Sequence, residues 1–379
     1  MIVKIKEVIS EYSVRNKSNE DIPVYSVTNE NGFCTGYFSK EVASKDKSTY
    51  KIVPRGYFAY NPSRINVGSV DWQRCENRVI VSPLYVVFGV SNQLDQQYLL
   101  HYLKSDMMLA YIKEYATGSV RDNLKLSDLG KLPINLRPID EQRKIAAVLD
   151  KVSDLIAKRR QQLNKLDELV KSRFIEMFGD PKDNSNGWPV LPLGKLFTVS
   201  SSKRIYQSEQ TSSGIPFLRI SDLVQRMDER TVTAELYISE QHYAALKKEG
   251  LVPVAGDILV TSRGTLGRCY EIKEDDRFYF QDGMISWLFD KKPMVTNTYI
   301  MQLFQMPGFR KQIDDIPAGS TVNYLSLARL KELRVMCPTI ELQEQFIAFV
   351  EQVDKSKLAV QQGLQELEIL KKSLMHAIT

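Results

Sequence analysis

The sequence predicts an α+β fold: two mixed α/β domains related by internal duplication, each followed by a long helix of coiled-coil type. Three observations lead there. The chain repeats itself at one fixed offset, each copy ends in a sustained heptad pattern, and short strand-like and helix-like runs alternate irregularly before each heptad.

The offset is 201 positions. GSVRDNLKLSDLGKL, from Gly118, then lies over GSTVNYLSLARLKEL, from Gly319, with Gly118/Gly319, Ser119/Ser320, Leu124/Leu325, Leu126/Leu327 and Leu129/Leu330 coinciding. The same register continues through Gln142/Gln343, Ala147/Ala348, Val152/Val353, Leu166/Leu367 and Lys171/Lys372. Identity held at one offset over about 55 residues marks a duplicated unit, and with only two copies it is no solenoid.

The four segments are 1–137, 138–180, 181–337 and 338–379. In 1–137 and 181–337, strand-like runs such as Val79-Ile80-Val81 and Asp257-Ile258-Leu259-Val260 accompany helical ones such as Gln96 to Tyr115. Each of these segments is therefore a mixed domain. In 138–180, Leu149, Ile156, Leu163, Val170 and Met177 recur every seven residues; in 338–379, Phe346, Val353, Val360, Leu367 and Leu374 do the same. Such heptads predict coiled-coil packing, and two in one chain predict that they pair with each other. The first helix is expected after Pro138, capped by Asp140, and to stop at Gly179-Asp180-Pro181. The second is expected to be capped by Thr339, and its longer polar lead-in predicts a longer or differently capped start. Arg159 and Arg173 stand where the second copy has Val360 and Leu374. Their stems can cover apolar surface, or their heads can receive a partner's acidic groups.

Composition excludes several classes. Hydrophobic residues make up 43% and charged residues 26%, as in a globular chain. The longest apolar run, near Val79 to Val90, is broken by Ser82, Pro83 and Gly89 and is too short to span a bilayer. The expected location is the cytoplasm. The four cysteines form no C-x-x-C pair and the three histidines are scattered, so neither a zinc site nor a histidine triad is expected. The net charge of +5 is small for 379 residues. A denser patch runs from Lys40 to Arg55, where Lys40, Lys45, Lys47, Lys51 and Arg55 face only Glu41 and Asp46. It can hold phosphates or be an ordinary solvated surface.

YNPSRINVG, from Tyr60, resembles the start of the N-P-P-Y motif of DNA amino-methyltransferases. Ser63 and Arg64 stand where the second proline and the base-stacking ring are needed. The chain also has no G-x-G for a nucleotide cofactor and no G-x-x-x-x-G-K-[ST] for ATP. No catalytic residue is expected. Aligning Gly56 with Gly256 instead places Ser63-Arg64-x-x-x-Gly68 over Ser262-Arg263-x-x-x-Gly267, with Val260-Thr261 opposite Asn61-Pro62. An arginine on a glycine-bounded loop suits a phosphate or a guanine edge. The alternative is a hairpin whose arginines make structural salt bridges.

SVTNENGFCTGYFSKEVASKDKSTYKIVPRGYFAYNPSRINVGS, LPINLRPIDEQRKIAAVLDKVSDLI, GIPFLRISDL and LQEQFIAFVEQVDKSKLAVQQGLQELEILKKSLM, with the duplication, resemble the specificity subunits of type I restriction–modification systems. The likeness covers essentially the whole chain. It implies two target-recognition domains, each reading one half of a bipartite DNA site, separated by the two long helices as an antiparallel coiled-coil spacer. Helices of about 38 residues would reach about 57 Å, capping the separation at about 17 base pairs of about 3.4 Å. It also implies partners that do the chemistry: two methyltransferase subunits with adenosylmethionine, and restriction/translocase subunits using ATP and Mg, while this chain takes no cofactor or metal.

The DNA-contacting candidates are Lys40, Lys45, Lys47, Lys51, Asn61, Arg64 and Asn66 in the first half. In the second they are Lys203, Arg204, Tyr206, Gln207, Arg263 and Thr265. Arg159 and Arg173 are the partner-binding candidates. Two rivals share the sequence: a specificity subunit whose methylase and nuclease partner is one polypeptide, and a coiled-coil adaptor that binds no DNA.

Overall fold

Residues 1–36, 46–115, 123–228, 234–315 and 324–378 are described by a computed structural model. They form two units, Met1–Gln162 with Val360–Thr379, and Leu163–Ala359. No described helix is long and apolar enough to cross a membrane.

In the first unit β1 (Ile2–Lys4) pairs antiparallel with β10 (Pro133–Asn135). The central sheet is antiparallel, with β2 (Ile9–Glu11), β9 (Val86–Val90), β6 (Phe58–Tyr60) and β7 (Val70–Trp72) in that spatial order. Val86 to Val90 is β-branched and aromatic apart from Gly89, against which the Tyr57 ring packs too closely for a side chain. Alternation sorts the two faces. Phe58 and Tyr60 point to the helices, and Phe58 stacks on Phe88, its neighbour across the strands, at 5.0 Å. Ala59 and Val87 point to a second layer: the hairpin of β3 (Ser26–Thr28) and β4 (Gly32–Cys34), and the pair β5 (Lys51–Pro54) and β8 (Arg78–Val81). The helical face carries α1 (Gln96–Leu103), α2 (Asp106–Tyr115) and α3 (Leu126–Leu129).

The second unit repeats this plan. β11 (Val190–Pro192) pairs with β20 (Arg334–Met336). The central sheet runs β12 (Thr198–Ser201), β19 (Ile285–Phe289), β16 (Ile258–Thr261), β17 (Cys269–Glu271), the same order of equivalents. α5 (Leu193–Leu196) follows β11, and α8 (Asn297–Leu303), α9 (Pro307–Asp314) and α10 (Leu327–Glu332) stand for α1 to α3. The units differ in the second layer. Here β13 (Gln210–Thr211), β15 (Tyr237–Ile238), β14 (Ile215–Leu218) and β18 (Tyr279–Phe280) form a four-stranded sheet, with α6 (Ile220–Met227) and α7 (Glu240–Lys248) between strands. A parallel contact is common to both layers: Val24 beside Ile80, and Phe217 beside Tyr279, each within an Ile-Pro-x run.

The long helices are α4 (Ile139–Phe178) and α11 (Ile340–His376). Both begin at the same place in the repeat, 201 residues apart. The second helix is therefore not longer at its start but differently preceded, with Thr339 directly before α11 where Pro138 stands before α4, and Asp140 lies in the first turn of α4 instead of capping it. Gly179, at φ 82°, ends α4 in the left-handed conformation expected of its glycine. The helices pair antiparallel within each unit. In the first, Ala146 and Leu149 share a core with Leu374 and Ile378, and Arg160 reaches Glu368 at 2.7 Å. In the second, Phe174 and Phe178, which lie outside the heptad, bury their rings against Phe346 and Tyr299 at 4.9–5.6 Å, and Lys357 meets Asp167 at 2.7 Å.

Two fully buried glutamines brace the helix starts in the same way. Gln142 Nε2 donates to the carbonyls of Gln93 (2.8 Å) and Arg137 (2.7 Å), while its Oε1 accepts from the Asp95 amide (2.9 Å). Gln343 Nε2 donates to Met294 (3.0 Å) and Pro338 (2.9 Å), and Oε1 accepts from the Thr296 amide (2.8 Å). Asp95 and Thr296 are the N-caps of α1 and α8. The Tyr98 and Tyr299 hydroxyls likewise donate to Asn135 and Met336, both at 2.9 Å. Buried polar groups recur only where every bond is made.

Candidate nucleic-acid interface

In the first unit, β2 and β6 end and β9 begins at one end of the central sheet. The loop after β6 holds Asn61, whose Oδ1 accepts from the amide (3.1 Å) and hydroxyl (2.9 Å) of Ser63, closing an Asx turn. Arg64 follows, exposed and without an ion pair among the described residues. A single 3-10 turn, Ile65–Val67, then buries Ile65 and closes on Gly68 at φ 85°. Asn66 is half-buried, and its Oδ1 meets no hydrogen-bond partner. Asn61, Ser63 and Arg64 form one wall of a groove of about 460 Å³; Asn29 and Asn31 at the tip of the β3–β4 hairpin form the other, with Tyr85 beside them.

The lysine candidates fall elsewhere or are already engaged. Lys51 Nζ donates to the Tyr85 carbonyl at 2.6 Å, and burial lowers its pKa. Lys47 contacts Asp21 at 3.5 Å. Lys40 and Lys45 lie outside the described residues.

The second unit presents the same sheet end. Ser201 Oγ, at the end of β12, accepts from Gly283 N (3.2 Å), and Ser262, just past β16, donates its amide to Met284 (2.8 Å). Lys203 and Arg204 leave β12 here and bond Glu249 (3.3 Å) and Asp282 (2.8 Å); the Asp282 bond raises the Arg204 pKa. Tyr206 is 63% exposed, next to exposed Gln207. Arg263 and Thr265 are exposed on the loop after β16, and the Arg263 guanidinium sits 5.3 Å from the Tyr324 ring centre. Among the described residues neither Arg64 nor Arg263 has the acidic partner that the alternative of a salt-bridged hairpin calls for.

The two arginine loops are one residue out of the expected register. Leu124 N donates to the Pro62 carbonyl (3.1 Å), and Leu325 N donates to that of Ser262 (3.0 Å). Pro62 thus corresponds to Ser262, and Asn61-Pro62 lies opposite Thr261-Ser262, not Val260-Thr261. Ser262 bonds the Ser286 hydroxyl at 2.7 Å in the interior, whereas Ser63 belongs to the Asx turn. The extra residue of the first loop is taken up before Gly68, so the arginines agree only when counted back from the glycines.

On the long helices, Arg159 is exposed and bonds Gln162 at 2.9 Å. Arg173 bonds Glu176 at 2.9 Å and lies over the Phe349 ring at 5.7 Å, leaving its Nε without a partner. Arg173 thus lays its guanidinium head over an aromatic ring of the partner helix, with its buried Nε unpaired.

The β3–β4 hairpin was not among the expected sites, although Asn31-Gly32 between Tyr25-Ser26-Val27 and Phe33 is a hairpin signal. Among the described residues, no three or more His, Cys, Asp or Glu gather where they could hold a metal ion.

Two copies of one sheet end, each carrying guanidinium, amide and hydroxyl groups on braced loops, define a duplicated reader of polar surfaces. The type I restriction modification DNA specificity domain model matches residues 2–168 and again 185–369, and the chain belongs to that family. It is a DNA target-recognition subunit of a type I restriction–modification system, the non-catalytic component that works with methyltransferase and restriction subunits. A protein named as a type I restriction enzyme specificity subunit in Haemophilus influenzae is 26% identical over 286 residues, 74% of this chain and 70% of that protein. The MjaIX specificity subunit of Methanocaldococcus jannaschii is 29% identical over 197 residues, 46% of this chain and 44% of its own. Two solved structures share the fold. One is a chain from work on complex assembly and conformational transition of the type I R-M system (TM-score 0.58, 17% identity, 99% of this chain and 96% of that one). The other is the S subunit of M. genitalium (TM-score 0.54, 16% identity, 99% and 94%).

Proposed function

We propose that each unit reads one half of a bipartite duplex site through its sheet-end loops. Two adenine-methylating subunits dock on the long helices, at faces that include Arg159 and Arg173. Motor and nuclease subunits join them for cleavage. Adenosylmethionine, ATP and Mg²⁺ belong to those partners, and this chain supplies the address. The observation that carries the reading is the recurrence of the same sheet end, with an exposed arginine on a glycine-closed loop, in both units. Arg64 and Arg263 supply planar forks for base edges or phosphates, and Tyr206 a stacking surface.

Methylation mapping of cells with and without the gene, its partners present, tests this. One bipartite adenine motif should vanish with the gene. An unchanged methylome, in cells shown to express the system, would refute it. Calorimetry of the isolated chain with adenosylmethionine should show no binding.

A further inference from the structure

The two units carry the same central sheet but different elements beside it. After the shared Ile-Pro-x contact, the second unit forms α6, whereas the first forms the β3–β4 hairpin. The hairpin's tip, Asn29-Glu30-Asn31, is exposed and forms a wall of the groove that also holds Asn61 and Arg64.

The tip is held unusually firmly for a surface turn. Thr28 and Gly32 are the last paired residues, Gly32 takes φ 57°, and the Asn31 amide donates to Thr28 Oγ1 at 3.1 Å. Asp71, nearly buried on β7, accepts from the Phe33 amide at 3.1 Å and is held by Arg74 at 3.1 Å. The Val27 amide donates to the Tyr85 hydroxyl at 3.3 Å. Lys104, at the end of α1, extends its ammonium to the Asn29 carbonyl at 3.0 Å. Desolvation lowers that lysine's pKa, and the carbonyl repays part of the burial. The Asn29 side-chain carboxamide rests against Gly68, the closing glycine of the arginine loop. Hairpin and arginine loop are thereby set against each other as one preorganised surface.

We propose that Asn29 and Asn31 are specificity-determining residues of the first unit, reading base edges of one half-site beside Arg64, and that Lys104 is the positioning residue that fixes the hairpin tip. The inference rests on the target-recognition reading above. Carboxamides pair two-fold with the adenine N6 and N7 edge, and guanidinium does so with the guanine O6 and N7 edge. The ligand class is a duplex half-site containing adenine next to a G·C pair, and the second unit, lacking the hairpin, reads its half-site with other groups.

The test uses the full chain assembled with its methyltransferase partners in a methylation-free host, with motifs mapped by long-read sequencing. For Asn29→Ala and Asn31→Ala we expect relaxation at one or two base pairs of a single half-site, with methylation of formerly rejected sequences rising about 10-fold or more. The half-site affected should be the one relaxed by Arg64→Ala, and the other half and the spacing should not change. Lys104→Met should relax the same base pairs and Lys104→Arg should restore them, whereas a purely structural lysine would lower the amount of complex without altering the motif. Unchanged stringency in both asparagine variants would overturn the proposal. So would an even loss of methylation over all sequences, or relaxation of the half-site that Arg263→Ala relaxes. A wild-type chain that directs no bipartite motif would instead overturn the target-recognition reading itself, which separates the two failures.

Discussion

Replacing Gln142 with methionine keeps the side-chain volume and removes three hydrogen bonds from a fully buried site. At about 1–1.5 kcal/mol per bond, the loss is about 3–4.5 kcal/mol, because the Asp95 amide and two carbonyls are left facing a thioether. Gln343→Met removes the matching three bonds plus a 3.2 Å contact from the Thr296 hydroxyl, so its cost should be equal or slightly larger. With a urea slope of about 2 kcal/mol per molar for a unit of this size, each midpoint should fall by about 1.5–2.3 M. Hydrogen exchange read by mass spectrometry on peptides around Asp95 and Thr296, at increasing urea, assigns the loss to a unit. Gln142→Met should act on the peptide at Asp95 and Gln343→Met on that at Thr296. A fall under about 0.3 M for either variant would refute the bond-by-bond reasoning.

Three further outcomes are expected. Burial holds the His101 imidazole below its ordinary pKa against the opposing bond from Asp150 (2.8 Å), with Lys371 and Lys104 also disfavouring its charge. Below about pH 6.5 the unfolded chain gains a proton that the folded histidine resists, so stability falls with acid at up to about 1.4 kcal/mol per pH unit. His101→Gln, the residue at the equivalent place in the second unit (Gln302), should flatten that slope in pH-dependent melts. Phe346→Ala, which empties a cluster of three other rings, should cost the second unit about 3–5 kcal/mol in denaturant titrations. Arg64→Ala and Arg263→Ala should each leave folding within about 0.5 kcal/mol and weaken binding of a different half-site by about 10-fold or more, read as gel-shift affinities on split-site duplexes.

The duplication was legible because it rests on side chains with one possible partner set. Gln142 and Gln343 stand out in the offset comparison, and both prove to be buried braces. The heptads gave the paired helices, yet Phe174 and Phe178, outside the repeat, bury their rings in an aromatic cluster with Tyr299 and Phe346. That choice is made by Tyr299 on α8, a contact no local periodicity encodes. The cap of the first helix was misplaced at Asp140 because a polar residue before an apolar run can lie inside the first turn as well as ahead of it. The arginine loops shared a spacing but not a register, since one residue is absorbed within a loop where nothing fixes the count. The hairpin wall of the groove was overlooked because charge density drew attention to lysines, whereas Asn29 and Asn31 carry no charge and owe their placement to Asp71 and Lys104, far along the chain.

The clamps on that hairpin have a consequence for how such a chain changes over generations. Asp71 holds an amide, Lys104 holds a carbonyl and Tyr85 takes another amide, all of them groups that every non-proline residue offers. The side chains at 30 and 31 project from a backbone that these clamps hold, and only that of Asn29 also rests on the neighbouring loop, at Gly68. New residues can therefore be sampled there one at a time, each intermediate folded, while the groove explores a different text.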